Sequence, residues 1–90
     1  MMKARIIKVY GDVQGVNFRY FARQEAEKLG LFGWAQNDHD GNVSIFIQGD
    51  DEDCQNFIKW AQEGSPMARV ENTEVKEIEI DDNLKGFGVK

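Results

Sequence analysis

The sequence predicts an α+β domain in which two helices pack on one face of an antiparallel sheet. Hydrophobic periodicity gives the order strand, helix, strand, strand, helix, strand, and a short fifth strand follows. Right-handed strand–helix–strand connections place both helices on the same face. Ninety residues suffice for one hydrophobic core and not for two, so residues 1–90 are expected to form a single domain.

The first strand and first helix are predicted from residue type and spacing. Residues 4–10 carry β-branched and aromatic residues on both alternation faces, which is typical of a central strand. The helix is expected to begin at about Asn17, whose side chain would cap the first turn, and to end at Gly30. Its buried stripe is predicted to contain Phe18, Phe21, Ala22, Ala26 and Leu29.

The middle of the chain reads as a hairpin. Residues 32–37 and 43–47 are predicted strands, and Asp40 and Gly41 between them favour a tight turn.

The acidic run 50–53 suggests either a metal site or the first turn of a second helix capped by Asp50 or Asp51, and the helix explains it better.

The second helix is predicted to bury an apolar stripe and to stop at a Gly-Ser-Pro sequence, residues 64–66. Residues 68–80 then favour an extended strand, but their apolar positions change parity, so we expect a bulge or a sheet edge. A turn at 81–86 precedes the closing strand, 87–90. The buried stripe of the helix consists of Cys54, Phe57, Ile58 and Ala61, with Trp60 at its edge.

Composition narrows the function classes. The net charge of −5 and the scattered 11 Lys and Arg residues disfavour sequence-independent nucleic-acid binding. The apolar runs are too short for a membrane span, and the first residues lack the apolar core of a secretory signal, so we expect a cytoplasmic protein without membrane contact. The single cysteine and the single histidine exclude an internal disulfide and a multi-histidine metal site.

Cys54 and His39 each have two interpretations. Cys54 lies on the apolar stripe, which predicts core packing, whereas a nucleophilic role would need a partner that the sequence does not place nearby. His39 sits among turn residues, and a ligand or base role is its alternative.

The stretch 9–19 predicts an anion site. A strand runs into a loop with Gly11 and Gly15, and the loop opens directly into a helix, so backbone N–H groups converge near the positive end of a helix dipole. Arg19 in the first turn places a positive charge at the positive end of that dipole. This lowers stability by about 0.3 to 1 kcal/mol unless Arg19 shares an anionic ligand with the amides. An ordinary strand-to-helix turn with a surface arginine remains the alternative.

Three ordered motifs make the chain resemble the acylphosphatase family. The resemblance spans nearly the whole sequence, and a helix separates the first motif from the second. The motifs are Gly11-x-Val13-Gln14-Gly15-Val16-x-Phe18-Arg19, Leu29-Gly30-Leu31-x-Gly33-Trp34-x-x-Asn37 and Asp40-Gly41-x-Val43.

The resemblance implies a ferredoxin-like α/β sandwich that hydrolyses the carboxyl–phosphate bond of acyl phosphates. Inorganic phosphate would be both product and inhibitor, and neither metal, cofactor nor covalent phosphoenzyme is implied. Arg19 would bind the phosphate, and Asn37 would orient the attacking water. We expect a monomer, since nothing suggests an obligate assembly. The backbone amides implied to bind the phosphate are those of Asp12, Val13, Gln14, Gly15, Val16, Asn17 and Phe18.

One departure and two alternative functions accompany this resemblance. Asp12 stands where many similar sequences carry a basic or neutral residue, and its charge predicts weaker phosphate affinity. The two alternative functions are an anion-binding module without turnover and an RNA-binding module that stacks bases on Tyr10 and Phe46. Trp34 is expected to form core or site wall.

Overall fold

The computed structural model describes residues 1–90 and contains the predicted elements in the predicted order. The strands form one sheet in the order β4-β1-β3-β2-β5, and both helices cover one of its faces. The first four strands pair antiparallel, while β5 joins β2 in parallel. The predicted α+β class is therefore confirmed. The elements are β1 (Met2–Asp12), α1 (Phe18–Lys28), β2 (Phe32–Asn37), β3 (Val43–Asp50), α2 (Asp51–Glu63), β4 (Arg69–Ile78) and β5 (Phe87–Val89).

Strand direction brings three strand ends together. β1 and β2 both run antiparallel to β3, so they run parallel to each other, and β5 runs parallel to β2. Their last residues, Asp12, Asn37 and Val89, therefore lie at the same end of the sheet, which we call the cradle end. α1 follows β1 and so begins at this end too.

The core lies between the sheet and the helices. Ile7 of β1 and Ile45 of β3 are paired across the strands and fully buried. Trp60 of α2 stacks on Phe18 of α1 with ring centroids 5.3 Å apart, which joins the two helices. Cys54 is buried in the same cluster, as predicted.

The sequence predicted the C-terminus of α1 correctly and its N-terminus only in part. At the C-terminus the Gly30 N–H donates to the Glu27 carbonyl at 3.1 Å and the Leu31 N–H to the Ala26 carbonyl at 2.8 Å, which is a Schellman motif ended by glycine, as predicted. At the N-terminus the helix begins as expected, but the predicted side-chain cap is wrong. Asn17 has φ 61° and ψ 21°, whereas a capping residue needs an extended backbone, and its side chain caps nothing.

β4 is both an edge strand and bulged. The pairing with β1 shifts between Tyr10 and Gly11, leaving Glu71 as an extra residue in β4. Because of that residue, Val70 and Val75 lie on the same, helix-bearing face despite their opposite parity. The predicted bulge or edge is confirmed.

The face of the sheet without helices is partly covered by residues 79–86, which connect the two opposite edge strands. The Gln48 side chain donates to the Asp81 carbonyl and accepts from the Asp81 N–H, both at 2.9 Å. Phe46 is only 6% exposed and stacks on the half-buried Trp34. Tyr10 donates its hydroxyl to Glu74, and Lys8 Nζ lies 5.5 Å from the centre of the Tyr10 ring, so neither aromatic residue proposed for RNA stacking presents a free ring. No helix of the structure has the length and apolar composition needed to traverse a membrane.

Candidate active site

A loop with free backbone donors connects β1 to α1. Gly15 has φ 75° and Asn17 has φ 61°, a left-handed conformation that costs a non-glycine residue about 1 kcal/mol. The N–H groups of residues 13–19 donate to no protein acceptor. We call residues 13–19 the cradle, because consecutive unpaired amides at a helix N-terminus form a binding site for an anion.

The cradle is anchored in the core at both sides. Val13 and Phe18 are each 1% exposed, and Phe18 is further fixed by its stacking on Trp60. The residues between these two anchors lie at or near the surface. The amides are therefore held in place by packing before any ligand arrives.

Gln14 ties the cradle to the hairpin that follows β2. Its Nε2 donates to the Asp38 carbonyl and to the Asn42 carbonyl, each at 2.8 Å. The Gly11 N–H adds a bond of 3.3 Å to the Asn42 side chain. The resemblance implied a role for the backbone N–H of Gln14 only. Its side-chain role was missed because the partners lie 24 and 28 residues away.

Arg19 is linked to β2 through Lys90, the residue that follows β5. Its guanidinium donates to the main-chain oxygen of Lys90, and the Lys90 N–H donates to the Ala35 carbonyl at 2.8 Å. Ala35 precedes Asn37 by two residues on the same face of β2, a distance of about 7 Å along a strand. The structure thus brings Arg19 and Asn37 to the same end of the sheet, and nothing in the sequence marked Lys90 as the connection.

Asn37 is exposed at the end of β2. It is paired with the buried Val43, so it faces the helix side of the sheet. Beside it lies a polar groove of about 590 Å³ that contains no hydrophobic residue. The residues lining this polar groove are Lys8, Gln36, Asn37, Asp38, His39, Asp40 and Lys90.

Charges in the polar groove are largely compensated. Lys8 Nζ lies 2.7 Å from an Asp40 carboxylate oxygen and 3.9 Å from an Asp38 carboxylate oxygen. The hydrogen bond to Asp40 raises the pKa of Lys8, and the same bond lowers the pKa of Asp40. Both groups therefore stay charged at neutral pH. His39 is exposed in this groove.

The other candidate residues have structural roles. Asp50 caps α2 by accepting from the Glu52 N–H at 3.1 Å, so the acidic run is a helix N-terminus, as the sequence favoured. Burial raises the pKa of the Cys54 thiol, which makes it a poor nucleophile. No three His, Cys, Asp or Glu side chains converge in the way that a metal ion requires.

Comparisons with known proteins identify the family. The sequence profile described as Acylphosphatase matches residues 5–89. An acylphosphatase of Thermococcus kodakarensis is 47% identical over 92% of this chain and 90% of its own length. The crystal structure of acylphosphatase from Bacillus subtilis superimposes with a TM-score of 0.90 at 39% identity, covering 100% of this chain and 99% of that one.

A second solved structure agrees. The structure of an acylphosphatase from Coxiella burnetii has a TM-score of 0.93 at 35% identity, covering 99% of this chain and 93% of that one. Fold, sequence and the cradle motif thus point to the same relatives, and the chain belongs to the acylphosphatase family of enzymes.

Proposed function

We propose that this chain hydrolyses acyl phosphates to a carboxylate and inorganic phosphate without a metal ion or other cofactor. The observation that supports this most is the row of unpaired amides, 13–19, together with a guanidinium that Lys90 links to β2. The reaction is a direct attack of water on phosphorus, with no covalent phosphoenzyme.

Phosphate binding is assigned to the cradle and Arg19. Amides at a helix N-terminus and a planar guanidinium both match phosphoryl oxygens, and the guanidinium keeps its charge at neutral pH. The bond to Lys90 is made by one Nη of Arg19, so most of the donors of its guanidinium stay available to a dianion. The amide of Asp12, at the end of β1, belongs to the same proposed set.

Water positioning is assigned to Asn37. Its carboxamide both accepts and donates hydrogen bonds and does not titrate, so it orients a water molecule at any pH in the working range. The water oxygen bonds to phosphorus, and the bond between phosphorus and the acyl oxygen breaks. The electron pair of that bond leaves on the carboxylate, and the water's protons pass to phosphate oxygens.

Positioning and charge stabilisation supply the catalysis in this proposal. The carboxylate is a good leaving group and the transition state is loose, so no strong general base is required. This fits the exposed His39, which has no hydrogen bond to a carboxylate that would hold it in place as a base.

The test is hydrolysis of benzoyl phosphate in the presence of a chelator by the natural chain, Arg19→Gln and Asn37→Ala. We expect Arg19→Gln to lower kcat/KM by about a thousandfold and to lose inhibition by inorganic phosphate. For Asn37→Ala we expect kcat to fall by about a hundredfold with phosphate inhibition nearly unchanged, since only the water is misplaced.

Lys59→Gln and Asn56→Ala, both exposed on α2, are the matched controls and should keep full activity. Full activity of Asn37→Ala would remove the water-positioning role. Absence of turnover in the natural chain, with phosphate still bound, would leave an anion-binding module instead.

The proposal also covers oligomeric state, location in the cell and type of substrate. The chain acts as a monomer and one domain, in the cytoplasm, on a small molecule rather than on nucleic acid or a membrane. Its net charge of −5 is consistent with that setting.

A further inference from the structure

A second groove begins in the cradle and runs along the solvent face of α1. It has a volume of about 440 Å³, and we call it the outer groove. Asn17 belongs to both the cradle and this groove, so a ligand bound by the cradle amides has direct access to it. The residues that line the outer groove are Asn17, Tyr20, Phe21, Arg23, Gln24 and Glu27.

The geometry of displacement at phosphorus decides which groove receives the rest of the substrate. Attacking and leaving oxygens lie roughly in line on opposite sides of the transferred group. Asn37, which orients the water in the function proposed above, lies in the sheet layer and lines the polar groove. The leaving carboxylate then points away from Asn37, and the outer groove lies on that other side, on the solvent face of the helix layer.

Two side chains in the outer groove have surface to offer a ligand. Tyr20 is 53% exposed, and the Arg23 guanidinium carbon lies 5.7 Å from the centre of its ring. Arg23 takes part in none of the ion pairs of the structure, although the chain has 16 carboxylates. An uncommitted guanidinium beside an exposed ring is suited to a short carbon chain that ends in a carboxylate.

We propose that the outer groove binds the acyl group of the substrate, with the Tyr20 ring as its apolar wall and Arg23 as counterion to a carboxylate on that group. This rests on the proposed function and adds the substrate class: acyl phosphates larger than acetyl phosphate that carry a second, negatively charged carboxylate. Glu27 at the far end of the groove limits the length of the anion, because a longer one would meet its charge.

The experiment compares kcat/KM for acetyl, benzoyl and succinyl phosphate in the natural chain, Tyr20→Ala and Arg23→Gln. Acetyl phosphate is the internal reference, because its acyl group has only a methyl group to place in the outer groove. Tyr20→Ala should lower kcat/KM for benzoyl phosphate by about three- to tenfold, the range for loss of an aromatic contact. Arg23→Gln should lower kcat/KM for succinyl phosphate by about fivefold, with the difference disappearing at high salt.

His39→Gln, in the polar groove, is the matched control and should leave all three substrates in the same ratio. Unchanged ratios in Tyr20→Ala and Arg23→Gln would overturn the inference while hydrolysis of acetyl phosphate still upheld the proposed function. A changed ratio in His39→Gln alone would overturn it too, by placing the acyl group on the side of Asn37. If no acyl phosphate is hydrolysed, the proposed function itself fails.

Discussion

The two helices of this chain begin in opposite ways. At α2 the Asp50 side chain accepts from the Glu52 N–H, and the first turn holds Asp51, Glu52 and Asp53. At α1 no side chain caps the helix, the first turn contains no acidic residue, and Arg19 stands there instead. The two helices have similar lengths and pack on the same sheet, yet the first turn of α2 is negatively charged and that of α1 is positively charged.

The comparison supports the proposed anion site at the N-terminus of α1. Carboxylates at α2 neutralise the helix dipole and satisfy one of its amides, so that end needs nothing further. The cradle end of α1 does the reverse, since its amides are unpaired and a cation faces the positive end of the dipole. This arrangement lowers the stability of the isolated protein and becomes favourable when a dianion is bound.

The largest expected effect comes from giving α1 the charge pattern of α2. In Arg19→Glu, kcat/KM should fall by about a thousandfold or more, because a carboxylate replaces the guanidinium at the proposed phosphate site. The free energy of unfolding should change by less than about 1 kcal/mol, since better dipole electrostatics offset the lost bond to Lys90. Hydrolysis kinetics and urea unfolding measure the two quantities.

The reverse substitution, Glu52→Arg in α2, is its control. Activity should be kept and the free energy of unfolding should fall by about 0.3 to 1 kcal/mol. An active Arg19→Glu variant would mean that the charge at α1 has no part in binding.

A smaller effect is expected at the edge of the cradle. Asp12 is exposed at the end of β1, and its negative charge repels each unit of negative charge about 8 Å away by roughly 0.5 to 2 kcal/mol. Because Asp12→Lys reverses this charge and the phosphate is a dianion, the substitution should tighten inhibition by inorganic phosphate by about 30-fold or more at low salt. Glu79→Lys, which follows β4 at the other end of the sheet, is the control. Equal effects of both substitutions would show that net charge matters and the position of Asp12 does not.

Removal of the α2 cap tests the other half of the comparison. Asp50→Ala should lower the free energy of unfolding by about 1 kcal/mol, the usual value for loss of an N-cap side chain. Phosphate inhibition should stay the same, because α2 lies outside the proposed phosphate site. Urea unfolding with and without phosphate checks both statements, and an unchanged midpoint would contradict the assignment of Asp50 as a cap.

The smallest effect is expected at Asn17. Since its side chain caps nothing and its φ is positive, Asn17→Gly should change the free energy of unfolding by less than about 0.5 kcal/mol. The measurement is again urea unfolding. A loss of 1 kcal/mol or more would show that the Asn17 side chain does cap α1 in solution.

Features set by neighbouring residues were predicted well. β2 occupies 32–37 as expected, Gly30 ends α1 through its own positive φ, and Asp50 caps α2 from within the same turn. Each of these depends on residues a few positions apart. The cradle motif belongs to the same class, because its glycines and the start of the helix are contiguous in the chain.

Features set by distant partners were not predicted. β1 extends to Met2 and Asp12 because β3 and β4 supply partners there, and no local signal marks those residues as strand. The parallel pairing of β5 depends on the path of residues 79–86 across the sheet. In the site, the Gln14 side chain and Lys90 connect elements far apart in sequence, so their roles required the structure.

The most direct test of the central claim is a titration of ¹⁵N-labelled protein with inorganic phosphate, followed by the amide resonances in NMR. The amides of residues 13–19 should shift together and saturate with one dissociation constant, while those of Asp51, Glu52 and Asp53 at the start of α2 should not move. Shifts of equal size at both helix N-termini, or no shift in the cradle, would contradict the account.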